Sequence, residues 1–400
     1  MKKTITALMI VSLMLTTVGC RQVPDAQTQT TSTSLSTVPT DTSAGTTGTP
    51  VIAQEPMAAV SVPAITESAT AEDGTLLFQY TYQNMSLILP DPDVAHKVIL
   101  DFYNRVDKTK ETADSILSTA KSAYASSENW VPYLCHVTYN PARIDHGVLS
   151  LFGTNVTFNG ASHPERTCVS ASYDLTTGDV LTLASIMAVD ASIDTFCQLT
   201  LDELAAIEEE KYLYDGYEAT VKSRFNTDGS QDEAWYFTNT GLCFYFSPYE
   251  IAPYASGIIT IEIPYEKLTN LLYDGYFPDE LDTTTGRISA QYLKDADITQ
   301  FTQTAELSIN KEADMILLHT DTSVQNLRIE SGSWNDAGTV FTPDYTAFAA
   351  YTLTPGDAVM IECTIPDSAP SLRITYTTGG EDTVSYIMLG GNNALLSPEN

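Results

Sequence analysis

The stretch Trp235-Tyr236-Phe237-Thr238-Asn239-Thr240-Gly241-Leu242-Cys243-Phe244-Tyr245-Phe246 continues as Ser247-Pro248-Tyr249-Glu250-Ile251-Ala252-Pro253-Tyr254-Ala255-Ser256-Gly257. Aromatic and apolar residues on both sides of Asn239-Thr240-Gly241 read as two short strands around a turn. Pro248 and Pro253 fix backbone angles and remove amide donors, so the chain leaves the strand there. Ile258 to Ile263 then reads as a further strand, and Pro264 to Leu268 begins a short helix that ends before Asp274-Gly275.

Upstream, Phe196, Leu199, Leu204 and Ile207 lie along one side of a helical stretch from about Ile193 to Phe225. Tyr133 to Tyr139, Gly147 to Phe152 and Arg166 to Tyr173 have the look of an antiparallel sheet, with a turn at Asp174 to Asp179. Asp91-Pro92-Asp93 supplies an acidic cap and a first-turn proline. Val94, Val98, Phe102 and Val106 then repeat every four residues, and Ile116, Leu117, Ala120 and Tyr124 resume the stripe beyond Asp107, where a break stays open. Leu76 to Leu89 supplies one or two strands. Strands mixed with helices and lacking a βαβ rhythm indicate an α+β class, built on an antiparallel sheet with packed helices.

After about Thr283 the character changes. Ala305–Ile309, Met315–His319, Val324–Glu330, Ala347–Leu353, Ala358–Thr364, Leu372–Tyr376 and Val384–Leu389 are strand-like runs punctuated by Gly, Pro, Asn and Asp. That pattern predicts a β-sandwich-like, all-β domain over residues 283–400.

At the other end, Met1-Lys2-Lys3, an apolar run from Ile5 to Val18 and Gly19-Cys20 make a secretory signal over residues 1–20. The run falls short of the roughly 20 residues of a membrane span. Leu15-Thr16-Thr17-Val18-Gly19-Cys20 resembles a lipobox, with Thr17 where Leu is usual, which makes Cys20 the candidate for lipidation. Residues 21–71 hold twelve Thr, six Ser, five Pro and no aromatic residue. A segment of this composition cannot offset the entropy of ordering itself and reads as a disordered stalk. The expected setting is the outer face of a bacterial membrane, reached only through the lipid.

The net charge of -32, from 19 Lys and Arg against 51 Asp and Glu, argues against nucleic acid or an anionic surface as partner. It suits cationic partners, such as a basic protein, a basic peptide or a divalent metal, or simply solubility. Cys135, Cys168, Cys197, Cys243 and Cys363 form no Cys-x-x-Cys pair, and buried free thiols are the expected state, with a Cys135–Cys168 disulfide left open. The five histidines (His96, His136, His146, His163 and His319) have neither the His-x-x-x-His nor the His-Glu-x-x-His spacing. No Gly-x-Ser-x-Gly elbow or phosphate-cradling glycine loop occurs. Asp232 with Glu250 is one imaginable glycosidase-like pair, yet nothing selects it over others. The expectation is a protein that is not an enzyme, with no cofactor and no metal site.

The segment from Trp235 to Gly257, continued by Ile263-Pro264-Tyr265, resembles the extracellular domain of the lysozyme-sensing anti-sigma factor RsiV and its relatives. His163-Pro164 and Tyr173-Asp174-Leu175-Thr176-Thr177-Gly178-Asp179-Val180-Leu181-Thr182-Leu183 also match the manner of that family. Leu76 to about Ser170 resembles the partner domain that precedes it and that also stands before some peptidoglycan deacetylase domains. The resemblance implies a partner domain over 72–175, joined to an RsiV-like domain over 176–282. It implies a cell-surface binding or sensing module, with lysozyme, another cationic protein or a cell-wall glycan as ligand. The alternative is an accessory of a cell-wall polysaccharide hydrolase or deacetylase. Tyr249, Glu250, Pro253, Tyr254 and Gly257 are the candidate loop. Its tyrosines and glutamate serve either to hold an irregular backbone or to face a ligand.

Overall fold

The apolar run from Met57 to Val62, which composition assigns to the stalk, is folded. The computed structural model describes residues 57–400 except 128, 226–233, 310–313, 336–337, 365–371, 391–392 and 399–400. The signal, Cys20 and residues 21–56 of the stalk therefore lie outside the described residues, as does Asp232. Strands β1 (Ala59–Ser61), β2 (Ala64–Thr70), β3 (Leu76–Gln83) and β4 (Ser86–Ile88) come first. Met57, Ala59, Val60 and Val62 are all buried. Residues Met57–Ala71, expected in the stalk, are thus corrected to folded chain. Thr and Ser dominate the average over residues 21–71 and mask a short run of small apolar residues that is a strand by burial.

Helix α1 (Pro92–Tyr124) begins at Asp91, whose carboxylate accepts from the amides of Asp93 (2.9 Å) and Val94. It runs unbroken through Asp107. Val94, Val98, Phe102, Val106, Ala113, Ile116 and Ala120 form its buried stripe. With β5 (Tyr133–Ile144), β6 (Val148–Phe158) and β7 (Glu165–Asp174), the chain builds a five-stranded sheet in the order β2-β3-β5-β6-β7. Neighbours are antiparallel except β3 and β5, which are parallel. A parallel pair needs a long crossover, and α1 is that crossover. Its stripe packs on Phe78, Tyr80, Cys135, Val137, Tyr139 and Leu151 of the sheet. Asp101 ties the helix down, accepting from Tyr173 Oη at 2.9 Å and from Arg105 Nε at 2.7 Å.

On β5, His136 has its Nε2 buried with no hydrogen-bond partner among the described residues. Burial pushes its pKa below the ordinary 6.5. The unfolded chain therefore takes up the proton first, so this residue's contribution to stability is intact above about pH 6.5 and declines as pH falls below it. A His136→Gln variant is expected to show a shallower loss of stability between pH 7 and 5 than the parent in urea melts. Equal slopes would remove His136 as a source of acid sensitivity.

The next part carries α2 (Leu183–Ile186), α3 (Ile193–Lys211), α4 (Tyr217–Arg224), β8 (Trp235–Phe237), β9 (Gly241–Phe246), β10 (Ile259–Pro264) and α5 (Tyr265–Leu268). The single helical stretch expected from Ile193 to Phe225 is two helices. Tyr212 closes α3 in the left-handed region at φ 54°, and Gly216 at φ 78° opens α4. The sheet order is β10-β9-β8. One face covers Phe196, Leu201, Leu204 and Val221 of the helices. The other sends Tyr236, Cys243 and Tyr245 against Phe152 and Cys168 of the five-stranded sheet. The rings of Phe152 and Tyr236 stack at 4.3 Å.

The remaining strands are β11 (Ile288–Tyr292), β12 (Gln303–Ser308), β13 (Asp314–Thr320), β14 (Val324–Trp334), β15 (Phe341–Leu353), β16 (Asp357–Cys363), β17 (Leu372–Thr378), β18 (Glu381–Gly390) and β19 (Asn393–Pro398). They form two sheets, β11-β13-β16-β12 and β19-β18-β17-β14-β15-β1-β4. Ile288, Leu307, Ile316, Val359 and Ile361 from the first meet Leu327, Ile329, Phe348, Leu353 and Ile374 from the second. This is the sandwich expected from the C-terminal pattern. Its larger sheet is finished by β1, paired with β15 through Ala59↔Ala350 and with β4 through Val60↔Leu87. The boundary expected at 283 is therefore crossed by N-terminal chain, and Glu55–Asn400 forms one compact unit. The architecture is α+β with a sandwich of mainly antiparallel strands. No described helix is long and apolar enough to cross a membrane.

Candidate functional site

The loop after β9 is held by its own polar groups. Glu250 is half-buried, accepts from the Ser247 amide at 2.9 Å and pairs with Arg224. Burial raises its pKa, against the pull of the Arg224 guanidinium. Arg224 also donates to the Tyr245 carbonyl at 2.9 Å and lies over the Phe246 ring. Ser247 in turn accepts from the Cys168 amide at 3.0 Å, which fixes the loop to β7. Pro253 caps a 3-10 turn over Tyr254–Ser256, and Gly257 follows at φ 71°, ψ -152°, a region open essentially to glycine alone. Ile251 and Ala252 are buried beneath.

The two tyrosines point the other way. Tyr249 stands at φ 71°, in the left-handed region a bulky side chain avoids, and is 57% exposed. Its hydroxyl lies 3.1 Å from His163 Nε2, while the Tyr254 hydroxyl donates to the Pro164 carbonyl at 3.1 Å. The rings of His163 and Tyr254 are 4.5 Å apart, and those of Tyr249 and Tyr254 5.5 Å apart. Sequence spacing could not join His163 to this loop; the packing of β7 and its preceding turn against the loop after β9 does.

The end of α3 lies beside the loop. The Tyr214 amide donates to the Ile251 carbonyl at 2.9 Å, and Ser256 Oγ donates to the Lys211 carbonyl at 2.6 Å. Tyr212, also left-handed, is 74% exposed, and Tyr214 is exposed too. Glu208, Glu209, Glu210, Asp215 and Glu218, their near neighbours along the chain, are exposed, and Glu210 pairs with Lys211 at 2.7 Å. The result is a face of exposed tyrosine rings with a rim of carboxylates. Glu250, a candidate on the same loop, is turned inward to Arg224 instead.

A second feature escaped the sequence. A cleft of about 700 Å³ opens between the β8–β9 turn, the segment at Pro278-Asp279 and the strands β14, β17 and β18. It collects Asn239, Thr240, Asp279, Asn326, Arg328 and Asp382 on its walls. Asn326 sits at φ 52° in a bulge, because Gln325 pairs with Thr377 while Arg328 pairs with Thr375. Bulges re-aim side chains locally. The signal open to sequence reading was faint: an Asn-Leu-Arg inside an otherwise alternating strand.

The thiols elsewhere are withdrawn from solvent to differing degrees. The five described cysteines are free, and burial pushes the Cys135 and Cys168 thiols up to about 11 and those of Cys243 and Cys363 to about 12. Among the described residues no group of three or more His, Cys, Asp or Glu side chains is placed to hold a metal ion.

No curated protein matches the chain. Among solved structures it is similar to a DUF3298 family member from Bacteroides fragilis, at 18% identity and a TM-score of 0.41, covering 54% of this chain and 94% of that one. A DUF3298 family protein from Pseudomonas aeruginosa is similar at 15% identity and a TM-score of 0.39, covering 55% and 97%. The family model described as a protein of unknown function (DUF3298) matches residues 190–266, the span that holds α3, the three-stranded sheet and the tyrosine loop.

Proposed function

We propose that this chain is a lipid-anchored, cell-surface binding module without catalytic activity, and that its tyrosine face receives a cationic protein of the lysozyme kind. The observation that carries the reading is the exposed set Tyr212, Tyr214 and Tyr249 beside exposed carboxylates. Tyrosine offers large contact area at low entropic cost and is enriched among residues that dominate binding energy. Acidic rims steer cationic partners and set register. Two of these rings are held outward by left-handed backbone, a strain of about 1–3 kcal/mol each that persists only where the surroundings enforce it. The resemblance of Trp235–Gly257 to lysozyme-sensing ectodomains points the same way. Lipidation at Cys20 places the module outside the membrane.

The test is calorimetry of Glu55–Asn400 with a lysozyme at low and high salt. Attraction by charge alone fades as ions screen it. Micromolar or tighter binding that survives salt at a fixed stoichiometry is expected, with Tyr249→Ala weakening it by about 2 kcal/mol, roughly thirtyfold. Binding that vanishes in salt, or that ignores Tyr249→Ala and Tyr212→Ala together, sinks the reading.

A further inference from the structure

The cleft between β14, β17 and the β8–β9 turn lies apart from the tyrosine face and is lined by charges of both signs. Its volume of about 700 Å³ is that of a small-ligand site. Two guanidiniums line it. Arg373 is matched: its Nε donates to Glu330 at 2.6 Å, and the group lies over the Phe341 ring. Arg328 is not. Among the described residues it makes one hydrogen bond, from Nη2 to the Ala142 carbonyl at 2.5 Å, and no ion pair. Burial opposes its charge, while Glu330 and Asp382 support it from a distance. A recessed guanidinium with most of its donors unused is costly unless something else accepts from it. The planar fork fits a carboxylate bidentately.

Two exposed carboxylates also line the cleft. Asp279 is exposed and meets His146 Nδ1 at 3.1 Å. Asp382 is exposed, accepts from Thr377 Oγ1 at 2.7 Å and has no ion pair among the described residues. Asn239, Thr240 and Asn326 share the lining with these charges, side chains that donate to and accept from amide groups. A free inorganic anion would gain Arg328 yet meet these acids, and a simple cation would meet Arg328. A molecule with a carboxylate at one end, an ammonium at the other and amides between satisfies both. We infer that this cleft binds a short peptide with free termini, its carboxylate received by Arg328 and its ammonium by Asp279 and Asp382.

A mixed pool of tetrapeptides with free termini, incubated with Glu55–Asn400 and recovered by equilibrium filtration, reads this directly. Retention at sub-millimolar concentration is expected, falling at least tenfold for the same pool with amidated C-termini and less steeply for the N-acetylated pool. Arg328→Gln should abolish the difference between acid and amide while Tyr249→Ala leaves it unchanged. Because the comparison of acid with amide uses the parent protein, it holds even where a variant folds poorly. Equal retention of both pools, retention of an uncharged oligosaccharide pool in their place, or retention of nothing overturns the assignment. None of these outcomes touches lysozyme binding at the tyrosine face.

Discussion

A fragment beginning at Glu72 is expected to be markedly less stable than one beginning at Glu55, and to expose apolar surface. The sequence places the start of folded chain at residue 72, so this is the cut composition invites. The structure places β1 between β15 and β4 in the larger sandwich sheet, and β2 on the edge of the five-stranded sheet. Removing residues 55–71 strips the pairing partner from Phe348, Ala349 and Ala350 and from β4. Met57, Ala59, Val60 and Val62 leave with it, all buried between elements of the two parts. Burial of apolar side chains contributes about 1.5–3 kcal/mol for a large one and less for alanine, so the four together come to about 5–10 kcal/mol, most of a typical domain stability of about 5–15 kcal/mol, and the unpaired strands add to the loss. The expected readouts are a lowered urea midpoint, dye binding to exposed apolar surface and aggregation. Coincident melts of the two fragments would show that β1 is dispensable.

Arg143→Ala is expected to cost about 3–5 kcal/mol, the range for breaking a buried ion pair by removing one partner. Arg143 and Asp145 are almost fully buried, with Nε 2.6 Å from Oδ2. The same guanidinium donates to Tyr265 Oη at 2.7 Å and to the Tyr276 carbonyl at 2.6 Å, and it lies 5.3 Å from the Phe237 ring. It thereby joins β5 to α5 and β8. Asp145 keeps the amides of Gly147 and Val148, at 2.9 and 2.7 Å, but loses its counter-charge. An Arg143→Met, Asp145→Asn double variant should recover part of the loss, since it leaves no buried charge unmatched. Chemical denaturation of Glu55–Asn400 measures all three. A loss under about 1 kcal/mol for Arg143→Ala would mean that water or rearrangement compensates the carboxylate.

Both predictions rest on residues whose roles differ in how visible they are. Helix α1 was legible because one amphipathic stripe and one cap define it locally, within four residues at a time. The split at Tyr212 was not, because a left-handed tyrosine is unfavourable in isolation and is enforced by the neighbouring loop. Glu250 was singled out as an anchor or a ligand contact, and the structure turns it to Arg224 and the Ser247 amide. His163, quoted only as part of a resembling segment, comes to rest against Tyr254 because the turn before β7 packs on the loop after β9.

Alternation, capping and charge act over a few residues, so the α+β class, the strand pattern of the C-terminal sandwich and the acidic balance are readable from the chain alone. Tertiary structure alone decided that β1 completes the sandwich, that Arg143 links three elements and that Arg328 shares a cleft with Asn239 and Asp279. Backbone hydrogen bonds between strands are the same whatever the side chains, so a strand's partner is chosen by how whole faces bury together. That choice is made across hundreds of residues and leaves no local mark.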